Sequence, residues 1–280
     1  MPEPSPEPSI DAAPPDHHFG CDGTAIGWTV ITDPLFYLLA APAMILVGIS
    51  KSGFGGGLSV LAVSLLALVV EPRQAAAILL PVLCLMDLFG AWAYRRTWDR
   101  RAMLLLLPAA AIGIGIGTIG FRVLDAAMIR LLVGGVAIAF SLNYWLGRAW
   151  QRAPKTLGPM GGVACGALAG FTSFVAHAGL PPLALYLLPR RFDKSLFVGT
   201  TVMFFFAVNY AKLVPYAWLG QLGTTNLVTA AVLAPLAPVG IRLGLWLHAR
   251  IPETPFYHAC YGLLALTGAR LVYEPLTILL

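Results

Sequence analysis

Apolar positions in this chain come in long unbroken runs rather than in alternating stripes. Six runs, roughly 75–94, 102–121, 124–147, 195–216, 224–247 and 256–273, hold about 20 residues each. A run of that length predicts a helix able to cross about 30 Å of hydrocarbon. Two further runs, 34–70 and 158–189, are too long for one crossing at about 1.5 Å per residue. The first is interrupted at Lys51-Ser-Gly-Phe-Gly-Gly-Gly57 and the second at Ser173-Phe-Val-Ala-His-Ala-Gly-Leu-Pro-Pro182. Gly and Pro clusters break helices, so each long run is predicted to be a broken helix pair.

The two breaks correspond. At an offset of 122 residues, Gly57 aligns with Gly179, Gly48 with Gly170, Leu58 with Leu180, Asp87 with Asn209 and Tyr94 with Tyr216. The pattern predicts an all-α integral membrane protein of two homologous helical repeats with 8–10 membrane segments. Residues 34–147 form the first repeat, 148–157 a basic inter-repeat loop, and 158–280 the second repeat.

Charge sets the orientation. Arg95, Arg96, Arg100 and Arg101 share one short loop, and Arg148, Arg152 and Lys155 another. Basic loops stay cytoplasmic. If each broken run crosses twice, Arg190, Arg191, Lys194 and Arg250 join them, and only Arg73, Arg122, Arg130 and Arg270 lie outside. That model has ten segments, five per half, and makes the repeat inverted. The pieces 57–70 and 180–189 are short for full crossings, and counting them as half-helices gives eight.

Composition agrees with lipid as the solvent. The chain is 58% hydrophobic and 11% charged, against about 25% charged in soluble domains. Residues 1–33 differ: they are Pro-rich, hold six of the 13 acids and lack Lys and Arg. They read as a disordered tail, and without a basic start and apolar core they are not a signal peptide. In the tail, His17, His18 and Cys21 do not complete a metal ligand set. Cys84, Cys165 and Cys260 lie in apolar runs and read as small buried hydrophobes.

Candidate chemistry gathers at the breaks. Irregular backbone at membrane depth is tolerated only against protein or a water-filled cavity. Paired breaks in repeated halves point to a transporter's binding site. Gly53, Gly55, Gly56 and Gly57 would let a ligand approach the backbone, and Gly179 is the counterpart of Gly57. The half-helix that follows presents free N–H groups and a positive dipole end, which suits an anion. The other reading is close helix packing.

Lys51 would add positive charge to the site, or snorkel from a helix end. Asp87 could pair with Lys51, carry a proton, or sit protonated and structural. Asn209 and Lys212 share a helix face, and Lys212 could hold the anion or form a structural ion pair. His177 could bond substrate, shuttle a proton, or be a satisfied structural His. Ser52, Ser173, Thr200 and Thr201 could donate to an oxyanion or bond neighbouring backbone. No P-loop, no His-Glu-x-x-His and no Gly-x-Ser-x-Gly is present, which argues against an enzyme. Neither a cofactor nor a metal is expected.

The stretch Gly48-Ile-Ser-Lys-Ser-Gly-Phe-Gly-Gly-Gly-Leu58 resembles the first signature of the TauE/SafE family, the sulfite exporter or anion permease group. Gly170-Phe-Thr-Ser-Phe-Val-Ala-His-Ala-Gly-Leu-Pro-Pro182 resembles its second-repeat counterpart, and Asn209, Lys212 and Tyr216 fit the spacing that follows. The resemblance covers about 30–275. It implies a secondary transporter of sulfite, sulfonates or related small organic anions in a bacterial inner membrane. Lys51 stands where many members have a small or apolar residue, and His177 where the second motif is often Gly-rich. The expected partners are a small anion, the lipid bilayer and a second copy in a homodimer, with no nucleic acid. An anion channel and a non-transport assembly factor are the competing readings.

Overall fold

A computed structural model describes residues 30–31, 33–53, 58–146, 157–248 and 253–279. The acidic tail up to residue 29, Gly55, Gly56, Gly57, most of the basic loop 148–157 and Arg250 lie outside the described residues. Eleven α-helices are present among the described residues. They are α1 (Pro34–Gly53), α2 (Ser59–Leu66), α3 (Pro72–Tyr94), α4 (Arg100–Val123), α5 (Ala126–Leu146), α6 (Pro159–Ala176), α7 (Leu180–Leu187), α8 (Lys194–Trp218), α9 (Thr224–Leu233), α10 (Leu236–His248) and α11 (Glu253–Leu279). A 3-10 turn, Leu188–Arg190, closes α7. The chain is a multi-pass helical membrane protein.

Local chemistry fixes the helix starts. Pro72 and Pro159 occupy first-turn positions, where the missing N–H costs nothing. The Asp99 carboxylate accepts from Ala102 N at 2.8 Å and Asp193 from Leu196 N at 2.9 Å, each satisfying an orphan donor of the first turn. The apolar run 224–247 is one predicted crossing that bends: α9 ends at Leu233 and α10 begins at Leu236. Pro235 lies between them, and a proline removes a backbone donor there.

Among the described residues, seven stretches are long and apolar enough to cross a membrane: 34–51, 72–94, 100–123, 126–146, 159–176, 195–218 and 224–244. The 27-residue α11 is long enough but is not among them; it carries Arg270 and Glu274. The eight-residue α2 and α7 extend only about 12 Å each. They are half-helices, and they account for the difference between eight segments and ten. All eight residues of α2 are buried, as broken elements in lipid must be.

Four helix crossings organise the molecule, one of them α1 on α10 through Gly48 and Gly240. Along α3 and α8, Cys84 meets Tyr210, Asp87 meets Asn209, and Tyr94 meets Gly199. Numbers rise on one helix as they fall on the other, so the pair is antiparallel. The same holds for α5 and α11, where Arg130 meets Glu274, Gly134 meets Gly268, and Ser141 donates to Tyr261 O. Between α4 and α6 the numbers rise together: Leu105 meets Gly162, Ala109 meets Gly166, and Gly117 meets Phe174. That pair is parallel and packed through glycine.

Within the second half, α7 folds back along α6. Gly179 lies against Ala169 and Ser173, and Tyr186 against Gly162. The return brings Arg190 and Arg191 to the end of the molecule that also holds the α3–α4 turn. There Asp99 N donates to Thr200 Oγ1 at 2.9 Å. Arg95 stacks over Trp92 at 4.9 Å and Arg100 over Trp98 at 5.6 Å at this end; Arg122 stacks over Trp218 at 5.1 Å at the other. Paired aromatic and basic residues at both ends of long apolar helices mark two membrane–water boundaries.

Candidate functional site

The predicted polar residues converge on the α3–α8 crossing and the end of α6. Lys51, in the last turn of α1, is ion-paired with Asp87 Oδ1 in the middle of α3. The Asn209 amide donates to the other oxygen, Oδ2, at 2.5 Å. Both oxygens of the carboxylate are therefore held by donors from α1 and α8. Asp87 and Lys51 are thus paired with each other, and Lys51 does not snorkel.

One turn beyond Asn209 on the same face of α8, Lys212 is fully buried. Its Nζ lies 2.9 Å from Ser173 O, 3.1 Å from Ser173 Oγ and 2.8 Å from His177 Nδ1. His177 Nε2 lies 3.0 Å from Ala76 O on α3. One tautomer satisfies the whole arrangement: Nε2–H donates to Ala76 O, and Nδ1 accepts from Lys212. Lys212 does not take the structural ion pair left open by the sequence. Among the described residues no carboxylate pairs with it. Ser173 Oγ accepts from Lys212, and its own proton has no acceptor among the described residues.

Backbone geometry sets His177 in place. It ends α6 in the left-handed conformation, φ 51°, so the chain turns sharply into Ala178 and Gly179. A Cβ on Gly179 would lie 2.8 Å from Ala169 O, so this glycine serves the tight return of α7 on α6. Ser52 and Gly53 belong to the last turn of α1, while Gly55, Gly56 and Gly57 are outside the described residues. Thr200 is committed elsewhere, bonded to Leu196 O and Asp99 N near the start of α8. Thr201 Oγ1 is buried without a hydrogen-bond partner among the described residues.

Two braces were not singled out from the sequence. Ser50 Oγ accepts from Leu58 N at 3.3 Å across the first break, and Thr172 Oγ1 donates to Ala178 O at 3.0 Å across the second. Ser50 and Thr172 are themselves 122 residues apart, so the alignment of the halves carried a signal for them. Beneath the second break, Tyr216 OH donates to Phe174 O at 2.7 Å, and Phe121, Phe174 and Tyr216 form an aromatic cluster.

The arrangement contains two cations and one carboxylate, all in contact with broken or crossing helices in an apolar bundle. A family model, Sulfite exporter TauE/SafE, matches residues 40–271. The chain belongs to this family. No curated protein and no solved structure matches it. TauE/SafE proteins are membrane anion transporters, and the match spans every residue of the constellation, from Lys51 to Lys212.

Proposed function

We propose that this TauE/SafE chain is a secondary transporter that exports small anions, such as sulfite, organosulfonates or related organic acids, across a bacterial inner membrane. The observation that carries the reading is Lys212: an ammonium buried in the bundle whose acceptors are all neutral. An uncompensated buried charge is costly unless a counter-ion joins it. An anion docking beside Lys212 and the free hydroxyl proton of Ser173 removes that penalty. Lys51 and Asn209 belong to the same constellation through Asp87.

Alternating access follows from an inverted repeat. Shifted by 122 residues, the bounds of α1, α2 and α3 fall close to those of α6, α7 and α8, α4 falls on α9 with α10, and α5 overlaps the first part of α11. The counterparts α3 and α8 cross antiparallel, as do α5 and α11, which supports two halves related by a two-fold axis in the membrane plane. Rocking one half against the other about the constellation would expose it to each side in turn.

Proton coupling is assigned to Asp87. His177 is the weaker carrier in this arrangement, because a second ring proton on Nδ1 would face the ammonium of Lys212. The test is uptake of radiolabelled sulfite into proteoliposomes with and without an imposed pH gradient. Gradient-dependent uptake above empty liposomes is expected. Flux that follows membrane potential alone would indicate a channel, and no flux of any small anion would defeat the transport reading.

A further inference from the structure

Charge counting at the constellation leads beyond the choice of an anion to its valence. Lys51 and Lys212 contribute two positive charges and Asp87 one negative. His177 is engaged as a neutral ring, accepting at Nδ1 and donating at Nε2. Asp87 is the one carboxylate among the described residues that touches the group, and it is nine-tenths or more buried, as are Lys212, Ser173, His177 and Asn209. With Lys212 protonated, the group therefore presents one net positive charge, located at Lys212, with the Lys51 charge already answered.

We propose that this site selects monovalent anions over divalent ones, and that Asp87 sets the preference by consuming the charge of Lys51. The inference rests on the transport reading above and names its substrate class: a singly charged oxyanion, such as a hydrogen-sulfite or sulfonate group. Bound beside Lys212, a monoanion leaves the buried group neutral. A dianion leaves an excess negative charge against Asp87 in a medium where charges interact far more strongly than in water.

Methanesulfonate and sulfate are suitable probes, because they share a tetrahedral sulfur oxyanion and differ by one charge. Thermal stabilisation of the purified full chain by each salt, at matched ionic strength, reads the binding directly. Methanesulfonate should stabilise the wild type and sulfate should bind at least about tenfold more weakly. Asp87→Asn raises the net charge to two and should shift the sulfate-to-methanesulfonate ratio by about tenfold or more toward sulfate. Lys51→Gln combined with Asp87→Asn returns the net charge to one without leaving either partner alone, and should restore the wild-type ratio. This double variant also carries the test if Asp87→Asn fails to fold.

Sulfate binding to wild type as tightly as methanesulfonate would overturn the proposal, as would an Asp87→Asn ratio equal to wild type or a double variant that prefers sulfate. Binding of neither probe would overturn it too. Sulfite uptake measured on the same preparations separates the two levels. Transport without a charge preference sinks only the valence inference, and absence of any anion flux removes the reading beneath it.

Discussion

Asn209 and Asp87 stand 122 residues apart in the chain, and the amide of one donates to the carboxylate of the other at 2.5 Å. The same offset aligns the two halves. In the inverted-repeat reading the two-fold axis passes beside this pair, where α3 crosses its own counterpart α8. One member is charged and the other is not. In that reading the symmetry of the backbone is broken in its chemistry, and the carboxylate falls to the side that meets Lys51.

Exchanging the pair tests whether position or charge matters. In the double variant Asp87→Asn with Asn209→Asp, an amide–carboxylate hydrogen bond can re-form across the crossing. Each single variant loses it: Asp87→Asn strands Lys51, and Asn209→Asp sets two carboxylates together. Thermal melts should give a double variant more stable than the sum of the singles by about 1 kcal/mol or more, a coupling typical of contacting residues. Transport should still fall in the double variant, because the carboxylate now lies one turn from Lys212 and answers its charge. A swapped protein that transports at wild-type rate would show that Lys212 does not hold the anion.

Lys212→Met should separate function from folding. The substitution removes a buried charge, which is often neutral or stabilising, but leaves His177 Nδ1 without its donor, while Ser173 O keeps the His177 N–H. The two effects oppose, so the melting temperature should move little. Anion binding should weaken by about 2–5 kcal/mol, roughly 30-fold or more, as for loss of one partner from a buried charged contact. Equal losses of folded protein and of binding would assign Lys212 to structure.

Much of this was legible in the sequence, for reasons that differ by residue. The membrane fold follows from runs of about 20 apolar residues, a signal set by bilayer thickness. The breaks were legible because Gly and Pro clusters disrupt helices at matching offsets. The contact between Lys51 and Asp87 was readable as a pairing because an isolated charge in lipid calls for a partner. The neutral surroundings of Lys212 were not readable. They depend on the left-handed turn at His177, which swings the ring back toward α8, and no local pattern marks a non-glycine residue for that conformation. The sequence left Gly179 open between ligand approach and close packing for a similar reason. Whether a glycine faces ligand or a neighbouring carbonyl is decided by the return of α7 on α6, a tertiary matter.

The turn at His177 makes its own prediction. His177→Ala and His177→Gly both remove the bonds to Lys212 and Ala76 O, so their difference isolates the backbone. Left-handed conformation costs a residue with a Cβ about 1–2 kcal/mol, and glycine avoids that cost. His177→Gly should therefore melt higher than His177→Ala by about that amount. The reverse order would mean that the turn relaxes when the ring is gone.

Glycine packing at the two equivalent crossings supplies the last test. A Cβ on Gly48 of α1 would lie 2.8 Å from Gly240 Cα and 2.9 Å from Gly240 C, both backbone atoms of α10. A Cβ on Gly170 of α6 would lie 2.7 Å from Ala110 Cα on α4. Neither contact can be relieved by turning a side chain, so the helices themselves must separate. Overpacking of this kind costs about 1–3 kcal/mol. Gly115, on α4, has nothing within 4 Å of such a Cβ and provides the control. Gly48→Ala and Gly170→Ala should each lower the melting temperature in detergent, while Gly115→Ala should leave it unchanged or raise it through better helix propensity. Because α1 and α6 each end in a break, the two destabilising variants should also reduce sulfite uptake per folded molecule. If they melt lower yet transport normally, the crossings hold the bundle together without setting the position of Lys51 or Ser173.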